Sequence, residues 1–185
     1  IHGMVHNGVK VLVITTELTT RGWIEQMESI GYGMTDAIRE GQVMVLSRYG
    51  TVADARQDVT LSEVLSSPAI PAADVIVLDS ASSLMPENGS RADHFALIQQ
   101  LRKIASDGRS FMLCADPEEM DSQLLHTLRA SAEVVLDLDN ALIGGEIKRS
   151  IVITRFLRAA GPIQTSVGWR VEPGMGFIVD ITAVS

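Results

Sequence analysis

The chain has one cysteine, few aromatic residues at 4%, and a deficit of positive charge: 15 Lys and Arg stand against 23 Asp and Glu, for a formal charge of −8. One cysteine forms no internal disulfide and no thiolate metal cluster. Cys114, within the apolar segment 111–115, reads as a buried small hydrophobe of a reduced, cytosolic protein. The acidic balance disfavours the sequence-independent attraction to phosphate backbones that underlies nucleic-acid binding, leaving only a local basic patch as a route to it. No run of eighteen or more apolar residues exists and no basic, apolar leader opens the sequence, so the expectation is a soluble protein.

A phosphate-cradling G-x-x-x-x-G-K-[ST] string is absent as well, since none of Lys10, Lys103 and Lys148 lies between a glycine and a hydroxyl residue. The sequence opens at Ile1 inside what reads as a helix, with Ile1, Met4 and Val5 on one face and Asn7-Gly8 at its end. Either the chain is no nucleoside triphosphatase or such a loop lay upstream; because a phosphate loop is followed by a helix and then a strand, this opening supports the second expectation.

What is present is alternation. With 185 residues and 46% hydrophobic content, the chain can bury one sizeable core, and a single domain is expected. Short apolar runs at Val9 to Thr16, Val43 to Leu46, Ala73 to Asp79, Ser110 to Ala115 and Glu133 to Asp137 read as buried strands. Between them lie helical patterns: one capped by Thr19 or Thr20 and carrying Trp23, Ile24, Met27 and Ile30, then Val59 to Leu65. Ala92 to Ala105 follows with a stripe of Phe95, Ile98, Leu101 and Ile104, and another helix runs from Pro117 to about Ala130. This order predicts an α/β fold, a mostly parallel sheet with helices on both faces. Glu146 to Phe156, Val167 to Glu172 and Phe177 to Ile181 have only turns between them, including Pro173-Gly-Met-Gly, so a small antiparallel carboxyl-terminal extension is expected to close the sheet.

Two acids stand out. Asp79 ends the run Val-Ile-Val-Leu, and an acid at the carboxyl end of a buried parallel strand emerges where open α/β sheets bind ligands. Glu17 follows the first strand in the same way. On neighbouring strands the two would share one edge, Asp79 placed to organise Mg²⁺ on a nucleotide and Glu17 to orient or deprotonate an attacking water. Acids also punctuate strand ends and cap helices, which accounts for either residue without chemistry.

Other polar residues carry weaker signals. Arg155 and Arg158, ending the long strand, could reach phosphate bidentately, or serve as charges that protect a sheet edge. His2, His6, His94 and His126 lack metal-ligand spacing and read as surface or helix-flank residues. Asp116, Glu118, Glu119 and Asp121 cluster where a helix is expected to begin, and helix N-termini attract acids. Gly144-Gly145 reads as a turn, and Trp23 and Trp169 as packing residues.

Four segments together resemble one family: Val-Leu-Val-Ile-Thr-Thr-Glu-Leu-Thr-Thr at 11–20, Ile-Glu-Gln-Met-Glu-Ser-Ile-Gly-Tyr at 24–32, the Asp79 strand, and Val-Glu-Pro-Gly-Met-Gly at 171–176. They are similar to the archaellum accessory ATPases, KaiC-like members of the RecA superfamily found in the archaeal motility motor. The resemblance implies a RecA-like P-loop NTPase core that binds ATP with Mg²⁺. It also implies a homo-oligomeric ring, of hexamer type, with nucleotide at subunit boundaries. In that setting Asp79 matches the Walker B acid and Glu17 the acid beside the attacking water. Clock-type relatives have two consecutive acids where this chain has Glu17-Leu18, which implies weak hydrolysis and ATP used largely as a structural switch. Arg155 falls where those relatives carry a lysine of Lys-x-Arg-Gly, and Arg158 is displaced by one residue from the second cation.

The resemblance also supplies the expected partners, the secretion-type motor ATPase and the membrane platform protein, at whose cytoplasmic face the chain would act as a regulatory or assembly subunit. A recombinase-like DNA-binding ATPase, approaching DNA through the loop 86–91, is the alternative from another class. A non-catalytic α/β interaction module whose acids are only caps is the third. Because the 185-residue polypeptide contains no phosphate loop, calorimetry is expected to find weak or no ATP binding to it, and micromolar affinity would refute this.

Overall fold

A computed structural model describes residues 1–49, 59–85 and 89–180. They divide into two compact units, Ile1–Glu28 with Gly33–Leu128, and Ser29–Tyr32 with Arg129–Ser185. Part of the loop expected at 86–90, and Ile181 of the last expected strand, lie outside the described residues.

The first unit is built on a parallel sheet of β1 (Val11–Thr15), β2 (Val43–Ser47), β3 (Val75–Asp79) and β4 (Ser110–Leu113), in the order β2-β1-β3-β4. The two inner strands are the two with unbroken Val, Ile and Leu, as burial on both faces requires. Every residue of β1 is buried, as are Ile76, Val77 and Leu78 of β3. Successive side chains point to opposite faces. Leu12, Ile14, Ile76 and Leu78 share one core with Leu61 and Leu65 of α4 (Leu61–Leu65), Leu97 of α5 (Arg91–Ser106) and Leu124 of α6 (Ser122–Ser131). Val11, Val13 and Val77 face the other way, and Trp23 of α2 (Thr20–Ser29) and Met34 are buried in the same unit. Two short helices complete the set: α1 (His2–His6), ending at Asn7 as the sequence suggests, and α3 (Thr35–Arg39), which no pattern announced.

Capping chemistry sets several helix starts. The Thr19 hydroxyl accepts from the Gly22 amide, and both Thr60 and Ser90 close reciprocal capping boxes, with Glu63 and Asp93. Three expectations are corrected. Pro117 lies in a turn and α6 begins five residues later, because the Asp121 carboxylate caps the Gln123 and Leu124 amides. Phe95 is 63% exposed, since the inner face of α5 is formed by His94, Leu97 and Ile98. β4 is no fully buried strand; as an edge strand it alternates, exposing Met112, just as β2 on the other edge exposes Met44 and Leu46.

The second unit holds the largest departure. β5 (Val134–Ile143), expected as a fifth parallel strand, instead heads a separate four-stranded antiparallel sheet with β6 (Glu146–Phe156), β7 (Ser166–Glu172) and β8 (Gly176–Asp180). Gly144 and Gly145, both at positive φ, form a two-residue loop between β5 and β6, and such a loop joins only antiparallel neighbours. The antiparallel strands therefore form their own sheet, apart from the parallel one. Arg129 binds Asp137 bidentately at 2.6 and 2.8 Å, with the Thr154 hydroxyl donating to the same carboxylate at 3.0 Å. The hydrogen bond from Arg129 holds the Asp137 carboxyl below the usual range.

Cross-strand register gives this sheet two unlike faces. Leu136 opposes Ile153, Leu138 opposes Ile151, Leu142 opposes Ile147, Trp169 opposes Val179 and Val171 opposes Phe177. On the other face Asp139 opposes Ser150 and Ala141 opposes Lys148. The apolar face is wet: Leu138 is 67% and Leu142 75% exposed.

The segment after α2 is gripped by the β7–β8 hairpin. The Phe177 amide donates to the Tyr32 hydroxyl at 2.8 Å, and Gly176, at φ 75°, leaves no room for a Cβ, which would lie 2.2 Å from the Tyr32 ring. Gly176→Ala is expected to destabilise the second unit by about 2 kcal/mol, from strain and overpacking combined. Tyr32→Phe should cost about 1 kcal/mol, for one hydrogen bond. Urea unfolding checks both, and an unchanged midpoint for Gly176→Ala would exclude this packing.

Candidate functional site

The strand order turns back on itself at β1: the chain passes from β1 to β2 on one side, then returns to β3 on the other. The carboxyl ends of β1 and β3 thus flank a topological switch point, the position where open α/β sheets form ligand crevices. Thr15 is in register with Asp79, so Glu17 and Asp79 lie at the same edge of two adjacent strands, as their spacing predicts.

Hydroxyls stitch this edge together. Thr15, fully buried, accepts from the Glu17 and Leu18 amides at 3.3 and 3.1 Å. The Thr16 amide donates to the Asp79 carbonyl at 2.8 Å, while its hydroxyl accepts from the Ser80 amide and donates to the Ser80 carbonyl, both at 3.0 Å. Ser82 accepts from the Asp116 amide at 2.7 Å, joining the turn after β3 to the one after β4. Ser47, at the end of β2, donates to the Leu18 carbonyl at 2.7 Å. The Asp79–Ser80 peptide is cis.

Two features of the acids differ. Glu17 is exposed, whereas Asp79 is half-buried and its carboxyl is pushed above the usual range by desolvation. Neither carboxylate has a hydrogen-bonding or ion-pairing partner among the described residues. Cys114, just past β4, is exposed rather than buried, because β4 is an edge strand; desolvation and then the Asp79 carboxylate nevertheless raise its thiol. The Cys114 amide donates to the Leu78 carbonyl at 2.9 Å and its carbonyl accepts from the Ala81 amide at 2.7 Å, so Cys114 lies beside the end of β3, a neighbour the sequence did not suggest.

In the second unit, Arg155 and Arg158 lie at the end of β6. The Arg155 Nε is buried without a hydrogen-bond partner among the described residues. Arg158, at φ 61°, pairs with the Glu133 carboxylate. His94, expected at the surface or a helix flank, is 6% exposed on the inner face of α5, with Nδ1 3.9 Å from Asp121 and Nε2 without a hydrogen-bond partner among the described residues. Asp116 and Asp121 satisfy nearby amides, as helix-start acids do.

The donor set fits Mg²⁺ in one specific way. Among the described residues no three His, Cys, Asp or Glu side chains cluster, so an all-protein cage is not formed there. Mg²⁺ commonly needs only one or two carboxylates when phosphates complete its shell, and Asp79 is a partly desolvated carboxylate, without a partner among the described residues, at the kind of edge where open α/β sheets bind ligands.

Burial of an unpaired carboxylate has a measurable cost. With its pKa raised on folding, Asp79 favours the folded state below the carboxylate's ordinary pKa and loses that contribution as pH rises through the raised value. At pH 7 Asp79→Asn is therefore expected to raise the thermal midpoint of the ligand-free chain, with the gain vanishing in acid. A lower midpoint at pH 7 would contradict the desolvation account.

No family model matches the chain. It is 28% identical over 97% of its length to the archaeal flagellar ATP-binding protein FlaH of Methanococcus voltae, covering 78% of that protein. The crystal structure of flagellar accessory protein FlaH from Methanocaldococcus jannaschii superposes with a TM-score of 0.85 at 26% identity, over 97% of this chain and 80% of the other. A KaiC-like protein from Pyrococcus horikoshii OT3 shares the fold, with a TM-score of 0.71 at 19% identity over 96% of this chain and 79% of its own. In sequence and fold the chain is thus similar to the FlaH proteins, and it shares its fold with a KaiC-like protein.

Proposed function

We propose that this chain is an ATP-binding protein of the archaellum, acting as a regulatory or assembly subunit of the motility motor with weak or no ATP hydrolysis. The observation that carries this is the pair Glu17 and Asp79 at one edge of adjacent parallel strands, across a switch point. The relatives named as archaeal flagellar ATP-binding proteins support the ligand and the setting.

Asp79 would hold Mg²⁺ on the nucleotide; when bound, the ion supplies charge neutralisation at the phosphates. Glu17 is free to orient or deprotonate a water, and its exposure gives it room to do so. Leu18 follows it where a second acid would strengthen the base, so the pair favours binding over turnover. Arg155, with no ion-pair partner among the described residues, is the better candidate for phosphate contact across a subunit boundary. Arg158 must first release Glu133. The assembly we propose is a homo-oligomeric ring of hexamer type, peripheral to the membrane on its cytoplasmic side. Its partners would be the secretion-type motor ATPase and the platform protein, with no direct nucleic-acid contact.

The test uses the full gene product. Asp79→Ala should weaken Mg²⁺-dependent ATP binding by about tenfold or more, the loss of a charged ligand. Glu17→Ala should leave affinity within about threefold while removing residual phosphate release. Calorimetry and a phosphate assay read these, and sedimentation with and without ATP reads ring assembly. Binding and assembly untouched by both substitutions would instead support a non-catalytic interaction module.

A further inference from the structure

We infer that Thr16 is a positioning residue for the nucleotide-bound cation, fixing Asp79 and Glu17 relative to each other through its hold on the Asp79–Ser80 segment. This rests on the reading of Asp79 given above. Thr16 bonds the end of β3 three times: its amide to the Asp79 carbonyl, and its hydroxyl to both the amide and the carbonyl of Ser80. It is 4% exposed, so water does not replace these bonds in the folded chain. Its covalent neighbour is Glu17, whose own amide is held by Thr15. One buried hydroxyl therefore ties the backbone on the carboxyl side of Asp79 to the backbone on the amino side of Glu17. The Asp79 carboxylate has no partner of its own among the described residues, so the direction in which it presents its oxygens depends on this backbone.

A hard cation with near-ideal octahedral demands is sensitive to such placement. A residue that merely stabilised the sheet would affect nucleotide affinity with and without Mg²⁺ alike. A positioning residue affects the cation-dependent part alone.

The experiment measures ATP binding to the full gene product by calorimetry across a Mg²⁺ series and in EDTA, with thermal unfolding alongside. Thr16→Val is expected to raise the Mg²⁺ concentration for half-maximal binding about tenfold, the size of one strong hydrogen bond, and to leave the metal-free affinity unchanged. Thr16→Ser, which keeps the hydroxyl, is expected to behave as wild type. If Thr16→Val does not fold, Thr16→Ala, whose vacated space admits water to the Ser80 peptide, must give the same signature. Failure of both to fold would overturn the inference in favour of a purely structural role. Equal losses with and without Mg²⁺ would overturn it too, as would a wild-type Mg²⁺ response in Thr16→Val. Asp79→Asn is the control: if it loses the Mg²⁺ response while Thr16→Val keeps it, only the inference about Thr16 falls. If Asp79→Asn also keeps it, or wild type binds no ATP, the underlying reading of Asp79 falls.

Discussion

The parallel sheet ends in polar backbone that must be satisfied where apolar strands give way to loops, and buried or half-buried hydroxyls satisfy much of it. Thr15, Thr16, Ser47 and Ser82 each bond main-chain groups of a neighbouring turn, at the carboxyl edge where the strands emerge. An unsatisfied amide or carbonyl at such a depth costs about 1–3 kcal/mol, so this layer is a condition for ending four strands together. It also leaves the acids free. Because hydroxyls take the backbone bonds, Glu17 and Asp79 need spend no oxygen on structure.

That freedom has opposite consequences for the two carboxylates. Glu17 is solvated and costs the fold little, while Asp79 is desolvated with no counter-charge among the described residues. Asp137, in the other unit, shows the contrasting solution. Its Arg129 fork and Thr154 hydroxyl lower its pKa, and both carboxylate oxygens are taken up by donors within the unit. The two environments differ as a tie differs from the site proposed for Asp79: one acid is saturated with donors, the other has none among the described residues.

Much of this was legible in the sequence. Unbroken Val, Ile and Leu named the inner strands, and acids at their ends named the edge. Gly144-Gly145 marked the hairpin, and the segments around Glu17 and Pro173 pointed to the family. What was not legible depended on pairing. Whether β5 joined the parallel sheet turned on its partner, and its start, Val134 to Asp137, fits either kind of sheet. Cys114 and His94 were misplaced for related reasons. An apolar segment hides its cysteine only if the strand lies inside the sheet, and a histidine is buried only if the helix turns that face inward. The threonines at 15 and 16 were quoted as part of a motif, but their role as donors and acceptors needs a neighbour sixty-four residues away.

The two-faced antiparallel sheet has a consequence for how the molecule behaves as a colloid. A surface on which Leu138, Leu142 and Ile147 are largely wet lowers its free energy whenever two such surfaces meet, and that gain grows with the number of encounters. The lifetime of the isolated chain in solution is thus set by its concentration as much as by its folding.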